Sequence, residues 1–136
     1  MKIVKLTDTV AVSQQITPDN VVEIARAGYR VLINNRPDGE EAGQPDNASI
    51  AAAAERAGLE YHYMPITAMN FPGPEFDKMC DLLTDEDNPV LAFCRTGTRC
   101  TNLWVASQEA DTREQAAQLA RQLGYDLGMV SRFAHA

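Results

Sequence analysis

The sequence predicts an α/β domain in which a mainly parallel sheet is covered by helices on both faces. Three observations carry this expectation. Short apolar, β-branched runs alternate with longer stretches of helical periodicity, which is the pattern of strands joined by crossover helices. The run PVLAF at 89–93 is apolar throughout, as a strand buried on both faces must be. Glycines and capping residues punctuate the chain where each helix should begin or stop. The 136 residues suit a single domain, 1–136, with room for a real core.

The elements follow in order. IVKL (3–6) and VAVS (10–13) flank Thr7-Asp8-Thr9 and read as a hairpin. TPDNVVEIARAG starts a helix with Thr17 as N-cap and Pro18 in the first turn, and Gly28 closes it. YRVLINN (29–35) is a strand, and the acidic, turn-rich RPDGEEAGQPDN (36–47) is a loop. Asn47 is the expected cap of ASIAAAAERA, which ends at Gly58. LEYHYMPI (59–66) reads as a strand, followed by the loop TAMNFPG. PEFDKMCDLLTD (74–85) places Phe76, Met79, Cys80 and Leu83 at helical spacing. PVLAF belongs at or near the centre of the sheet. Helices are expected over 100–110 and 112–124, the second with a capping box from Thr112 and Gln115 and a stop at Gly124. The segment YDLGMVSRF adds a helical turn or two.

Charge and composition narrow the function. A net charge of −7 argues against a nucleic-acid or anionic-membrane partner, so any anion site must be a local positive pocket. No apolar stretch is long enough to span a bilayer, and MKIVKLTDTV lacks the apolar core of a signal peptide. Three cysteines at irregular spacing are not a disulfide framework, which favours a cytoplasmic, reducing setting with a thiol free for chemistry. Two distant histidines and no Cys-x-x-Cys pair argue against a metal site, and no cofactor is implied.

The chemistry concentrates in CRTGTR, residues 94–99, between the PVLAF strand and a helix. In a parallel sheet, ligands sit outside the carboxyl ends of the strands, which gathers the loops 36–47, 67–73 and 94–99 at one rim. Amides curling toward one point at a helix start make an anion cradle, and Gly97 permits the curl. Cys94 at its base is a candidate nucleophile, because amides, helix dipole and a guanidinium all favour its thiolate. Arg99 is the candidate clamp, since a planar guanidinium can grip two anionic oxygens. Arg95, Thr96, Gly97, Thr98 and the strand-end Arg36 are candidate binding residues. A buried, inert cysteine is the bland alternative.

The string VLINNRPDGEE…QP…AGLEYHYMPI…PVLAFCRTGTR…LW resembles a bacterial phosphatase-like domain family, one that also occurs fused ahead of metallo-β-lactamase-fold hydrolases. The resemblance implies the compact fold of dual-specificity phosphatases and a cysteine-based active site. The family's label implies a phosphatase or hydrolase. Its fusion partners resemble persulfide dioxygenases, which implies sulfur chemistry.

Spacing separates these. Tyrosine-phosphatase-like enzymes use C-x5-R, but here position 100 is a cysteine and Arg99 gives the C-x4-R of rhodanese-like sulfurtransferases. A smaller loop suits one persulfide sulfur better than a phosphoryl group. A phosphatase also needs an acid for its leaving alkoxide, and TAMNFPG holds no carboxylate. Asp38, Glu40 and Glu41 are the possible substitutes, though a solvated acidic turn explains them as well. The expected chemistry is therefore sulfur transfer from a small anionic sulfane donor to a thiol or protein acceptor. Phosphomonoester hydrolysis is the alternative. A non-catalytic anion-binding or redox module is the third reading, with Cys100 as a resolving thiol. Phe93 stands where the family often has a histidine, and Cys100 where it usually has a hydroxyl residue. His62 reads as a packed or edge histidine, Cys80 and Trp104 as core residues, and His135 as part of a disordered tail.

Overall fold

The computed structural model describes residues 1–134, so the expectation for His135 lies outside the described residues. Five strands form one sheet in the order β1-β2-β5-β3-β4. β1 (Ile3–Lys5) and β2 (Val10–Ser13) are the antiparallel hairpin, and its turn is held by Thr7 Oγ1, which accepts from the Thr9 and Val10 amides. β2, β5 (Val90–Phe93), β3 (Val31–Asn34) and β4 (Glu60–Tyr63) then run parallel. β5 occupies the middle, as its unbroken apolar run requires, and every one of its residues is buried.

The alternating directions of β5 side chains divide the core. Leu91 and Phe93 pack with Ile24, Leu32 and Ile50 under α1 (Pro18–Arg26) and α2 (Asn47–Ala57). Val90, Ala92 and Cys94 face the other way, into a larger cluster with Met79, Leu103, Trp104 and Ala120. That cluster is covered by α3 (Phe76–Thr84), α4 (Thr98–Ser107), α5 (Ala110–Gln122) and α6 (Gly128–Ala134). The helices on both faces follow from this two-sided burial.

Two caps differ from expectation. Asp46, not Asn47, caps α2, accepting from the Ser49 amide at 2.8 Å. Asn47 is the first helical residue, and its side chain is committed to Tyr61. Thr112 does not form a capping box. α5 begins earlier, after Glu109, so Thr112 lies inside the first turn and its hydroxyl donates back to the Glu109 carbonyl. The strand read over 59–66 is paired only over 60–63, because Met64 and Ile66 turn across the end of β3 to bond Asn34 and Asn35. Cys80 is only half-buried, at the edge of the helix face assigned to the core.

Candidate active site

The loop between β5 and α4 places Cys94 at the foot of a ring of amides. Gly97 has φ +90° and serves as the N-cap of α4, so the chain folds back over the cysteine. Its amide donates to Cys94 Sγ at 3.1 Å. The helix therefore begins at Thr98, two residues before the expected start, and Arg99 and Cys100 lie in its first turn.

These surroundings lower the Cys94 pKa to about 5. The largest cause is the Cys100 side chain, a thiol that can donate to the thiolate, and it opposes the upward effect of burial. The amides of Cys100, Thr96 and Arg99 add to the same stabilisation. Cys100 moves the opposite way. Complete burial pushes its thiol well above the ordinary value, so within this pair Cys94 holds the charge and Cys100 the proton. Cys94 itself is 0% exposed, which puts its sulfur beneath the loop rather than on the surface.

Arg99 points to the neighbouring loop. Its Nη1 donates to Glu40 Oε2 at 2.9 Å and to the Ile66 carbonyl at 3.0 Å, and its Nη2 donates to Glu40 Oε1 at 2.8 Å. Arg36 approaches the same carboxylate from behind. It is 1% exposed, and its Nε donates to Glu40 Oε1 at 2.9 Å, Nη1 to Gln15 and Nη2 to Glu41. Glu40 is thus shared by two guanidiniums. The hydrogen bond from Arg99 is the largest reason its carboxyl titrates below the ordinary range. Arg36, Glu40, Glu41, Arg95 and Arg99 together line a cleft beside the cysteine loop.

The other residues singled out from sequence divide into two groups. Thr96 and Thr98 lie on the loop and bond each other through their hydroxyls. Arg95 reaches the cleft, and its backbone carbonyl accepts from Gln15. Asp38 stands apart: its carboxylate accepts the Asn47 amide at the start of α2, while its own amide donates to Tyr63. Phe93 is core, Trp104 is core, and His62 bonds Glu60 on the edge strand.

Sequence reasoning assigned no role to Gln15, which links Arg36 to the end of β2. It also missed the clamp made by Glu40, which looked like part of a solvated turn. Tyr125 was missed too. A Cβ on Gly97 would meet its hydroxyl at 3.4 Å, so the phenol lies against the cysteine loop. The Glu40 signal was present only as an i,i+4 pairing with Arg36, inside a segment rich in turn residues.

Comparison with known proteins bears on this site. The family model described as "Beta-lactamase hydrolase-like protein, phosphatase-like domain" matches residues 2–111. The chain belongs to this family. A beta-lactamase hydrolase-like protein of Xylella fastidiosa is 37% identical over 131 residues, covering 94% of this chain and 30% of that protein. One from Agrobacterium fabrum is 29% identical over 136 residues, covering 98% of this chain and 32% of the relative. The chain thus spans about a third of the curated relatives it matches. A solved structure from Neisseria meningitidis, described as a candidate phosphatase, is 37% identical with a TM-score of 0.70 and covers 89% of each chain. PTPMT1, at 13% identity and a TM-score of 0.72 over 96% of this chain and 90% of its own, shares the fold. The phosphatase-like domain accordingly has the fold of dual-specificity phosphatases. Among the described residues, no helix is long and apolar enough to cross a membrane.

Proposed function

We propose that Cys94 is the nucleophile of a sulfur-transfer reaction on a small anionic sulfane donor. The observation that carries this reading is the commitment of the nearby carboxylates. Glu40 is held ionised between Arg36 and Arg99, Glu41 bonds Arg36, and Asp38 accepts the first amide of α2. The loop 67–73 has none. An alkoxide leaving group would therefore lack its acid, whereas displacement at sulfur releases a stabilised anion.

With thiosulfate as donor, the Cys94 thiolate attacks the outer sulfur. A Cys94 S–S bond forms, the S–S bond of thiosulfate breaks, and its electron pair leaves with sulfite. The cysteine persulfide anion then sits where Gly97 and the amides of Thr96, Arg99 and Cys100 already favour negative charge. Cys100 acts as a proton-holding donor in this scheme rather than as a resolving thiol. Because Cys94 has no exposed surface, the loop must open locally for the donor to reach it. A second thiol, free or on a protein, attacks the persulfide and restores the thiolate. A reducing cytoplasm suits both steps.

Phosphomonoester hydrolysis is the second reading, and the family and the phosphatase fold favour it. It would run through a phosphocysteine with Arg99 released from Glu40 to bind phosphoryl oxygens.

Intact-protein mass spectrometry after treatment with thiosulfate or glutathione persulfide separates the two. Sulfur transfer gives a gain of one sulfur that cyanide removes and Cys94→Ala abolishes. Cys94-dependent phosphate release from an aryl phosphate, with no sulfur gain, overturns it in favour of the phosphatase.

A further inference from the structure

We propose that Arg99 binds a tetrahedral oxyanion through its Nε and Nη2 edge while its other edge stays on Glu40, which acts as a positioning residue. On the sulfur-transfer reading, this oxyanion is the sulfonate end of the donor, so the substrate class is a sulfane sulfur attached to an SO3 group.

The argument is a count of donors. Nη1 donates to Glu40 Oε2 and to the Ile66 carbonyl, which uses both of its hydrogens. Nη2 donates to Glu40 Oε1, which uses one. The carboxylate spans Nη1 and Nη2 and therefore takes the hydrogens that lie between them. What remains is the outer hydrogen of Nη2 and the hydrogen of Nε. In a planar guanidinium these two N–H bonds lie side by side on one edge, the arrangement that grips two oxygens of one oxyanion.

That edge is open. The Arg99 side chain is 14% exposed. Among the described residues, only Asn35 and Arg113 carry buried polar side-chain atoms without a partner. Arg99 Nε makes no hydrogen bond and is not one of those atoms, so it has accessible surface. The open space that Arg99 borders is the cleft it lines with Arg36, Glu40, Glu41 and Arg95.

The other arginines cannot do the same. Arg36 is 1% exposed, and its Nε, Nη1 and Nη2 already donate to Glu40, Gln15 and Glu41. It braces the clamp and does not touch the ligand, which corrects its expected place among the binding residues. Arg95 is exposed at the cleft and has no partner that would fix its guanidinium. Arg99 is fixed, and its own amide is among those that favour the Cys94 thiolate. One residue thus serves the sulfur with its backbone and the oxyanion with its side chain. A parallel N–H pair gains nothing from a persulfide or polysulfide, whose charge sits on sulfur alone.

The test begins with the Nε–H signals of the unaltered protein in heteronuclear NMR. Sulfate should shift Arg99 Nε–H saturably, and chloride at equal ionic strength should not. Arg36 Nε–H, which donates to the same Glu40 oxygen, should stay in place. Arg99→Lys, with folding checked by circular dichroism, keeps the charge and loses the paired donors. Its affinity for sulfate should fall about tenfold. Loading of Cys94 by thiosulfate should fall with it, and loading by inorganic polysulfide should not. The absence of a saturable shift at Arg99 would overturn the proposal. A joint shift of Arg36, the release from Glu40 that the phosphatase reading requires, would overturn it too. So would equal losses with the two donors in Arg99→Lys. A saturable Arg99 shift with no Cys94-dependent sulfur gain from either donor would support the clamp and strike the sulfur-transfer reading.

Discussion

Glu40 and Arg99 lie 59 residues apart in sequence and meet through two hydrogen bonds, at 2.8 and 2.9 Å. This pairing joins the loop after β3 to the first turn of α4 and holds the guanidinium beside the cysteine. Arg36 braces it from the buried side.

Replacing Glu40 should therefore cost both stability and order at the loop. Glu40→Gln removes the charge that pairs two guanidiniums, one of them nearly inaccessible. The expected loss is about 2 kcal/mol, in line with hydrogen bonds to charged groups, read from urea unfolding. The same pair predicts acid sensitivity. The folded carboxyl titrates below its unfolded value, so its contribution is present above the unfolded pKa and is lost as pH falls through the folded one. The acid limb of the stability curve should flatten in Glu40→Gln.

Cys94 makes a similar statement at higher pH. Its thiol titrates at about 5 when folded, far below an ordinary cysteine near roughly 8.5. The stabilisation is fully present above the unfolded value and disappears as pH falls toward the folded one. Ultraviolet thiolate absorbance should show one thiolate at neutral pH, and Cys94→Ala should remove it. A thiol absorbing only above pH 8 would refute the assignment of charge to Cys94.

Cys100 should matter through its proton. Cys100→Ala takes away the largest stabilising influence on the thiolate, so the Cys94 titration should move upward. Cys100→Ser keeps a donor and should leave it nearer the unaltered value. Identical titrations for the two variants would mean that the amides alone set the charge.

Gly97→Ala should damage the loop. A side chain at φ +90° costs about 1–2 kcal/mol. The new methyl would meet Tyr125 at 3.4 Å, an ordinary van der Waals contact, so the cost lies in the backbone. On the sulfur-transfer proposal, loading by thiosulfate should fall in this variant, and on either reading the Cys94 titration should move upward, because the strain lies within the ring of amides itself.

Much of the architecture was legible from local signals. Thr17 and Pro18 start α1, Gly58 and Gly124 stop their helices, and VLAF is central because an all-apolar strand must be covered on both faces. Less was legible where two residues competed for one local task. Asp46 and Asn47 are both good caps, and the choice fell on Asp46 because Tyr61, from β4, claims the Asn47 side chain. Thr112 lost its capping role because α5 starts after Glu109.

By itself the sequence determined the order of elements and the position of Cys94 at the end of a central strand, before a glycine and an arginine. Those depend on periodicity, backbone freedom and spacing, which are local. Only the tertiary structure decided that Glu40 clamps Arg99, that Asp38 is spent on α2, and that Asn35 keeps a buried acceptor unpaired. Each of these depends on which distant groups reach a given side chain first. A carboxylate in a turn looks the same in sequence whether it meets water or two guanidiniums.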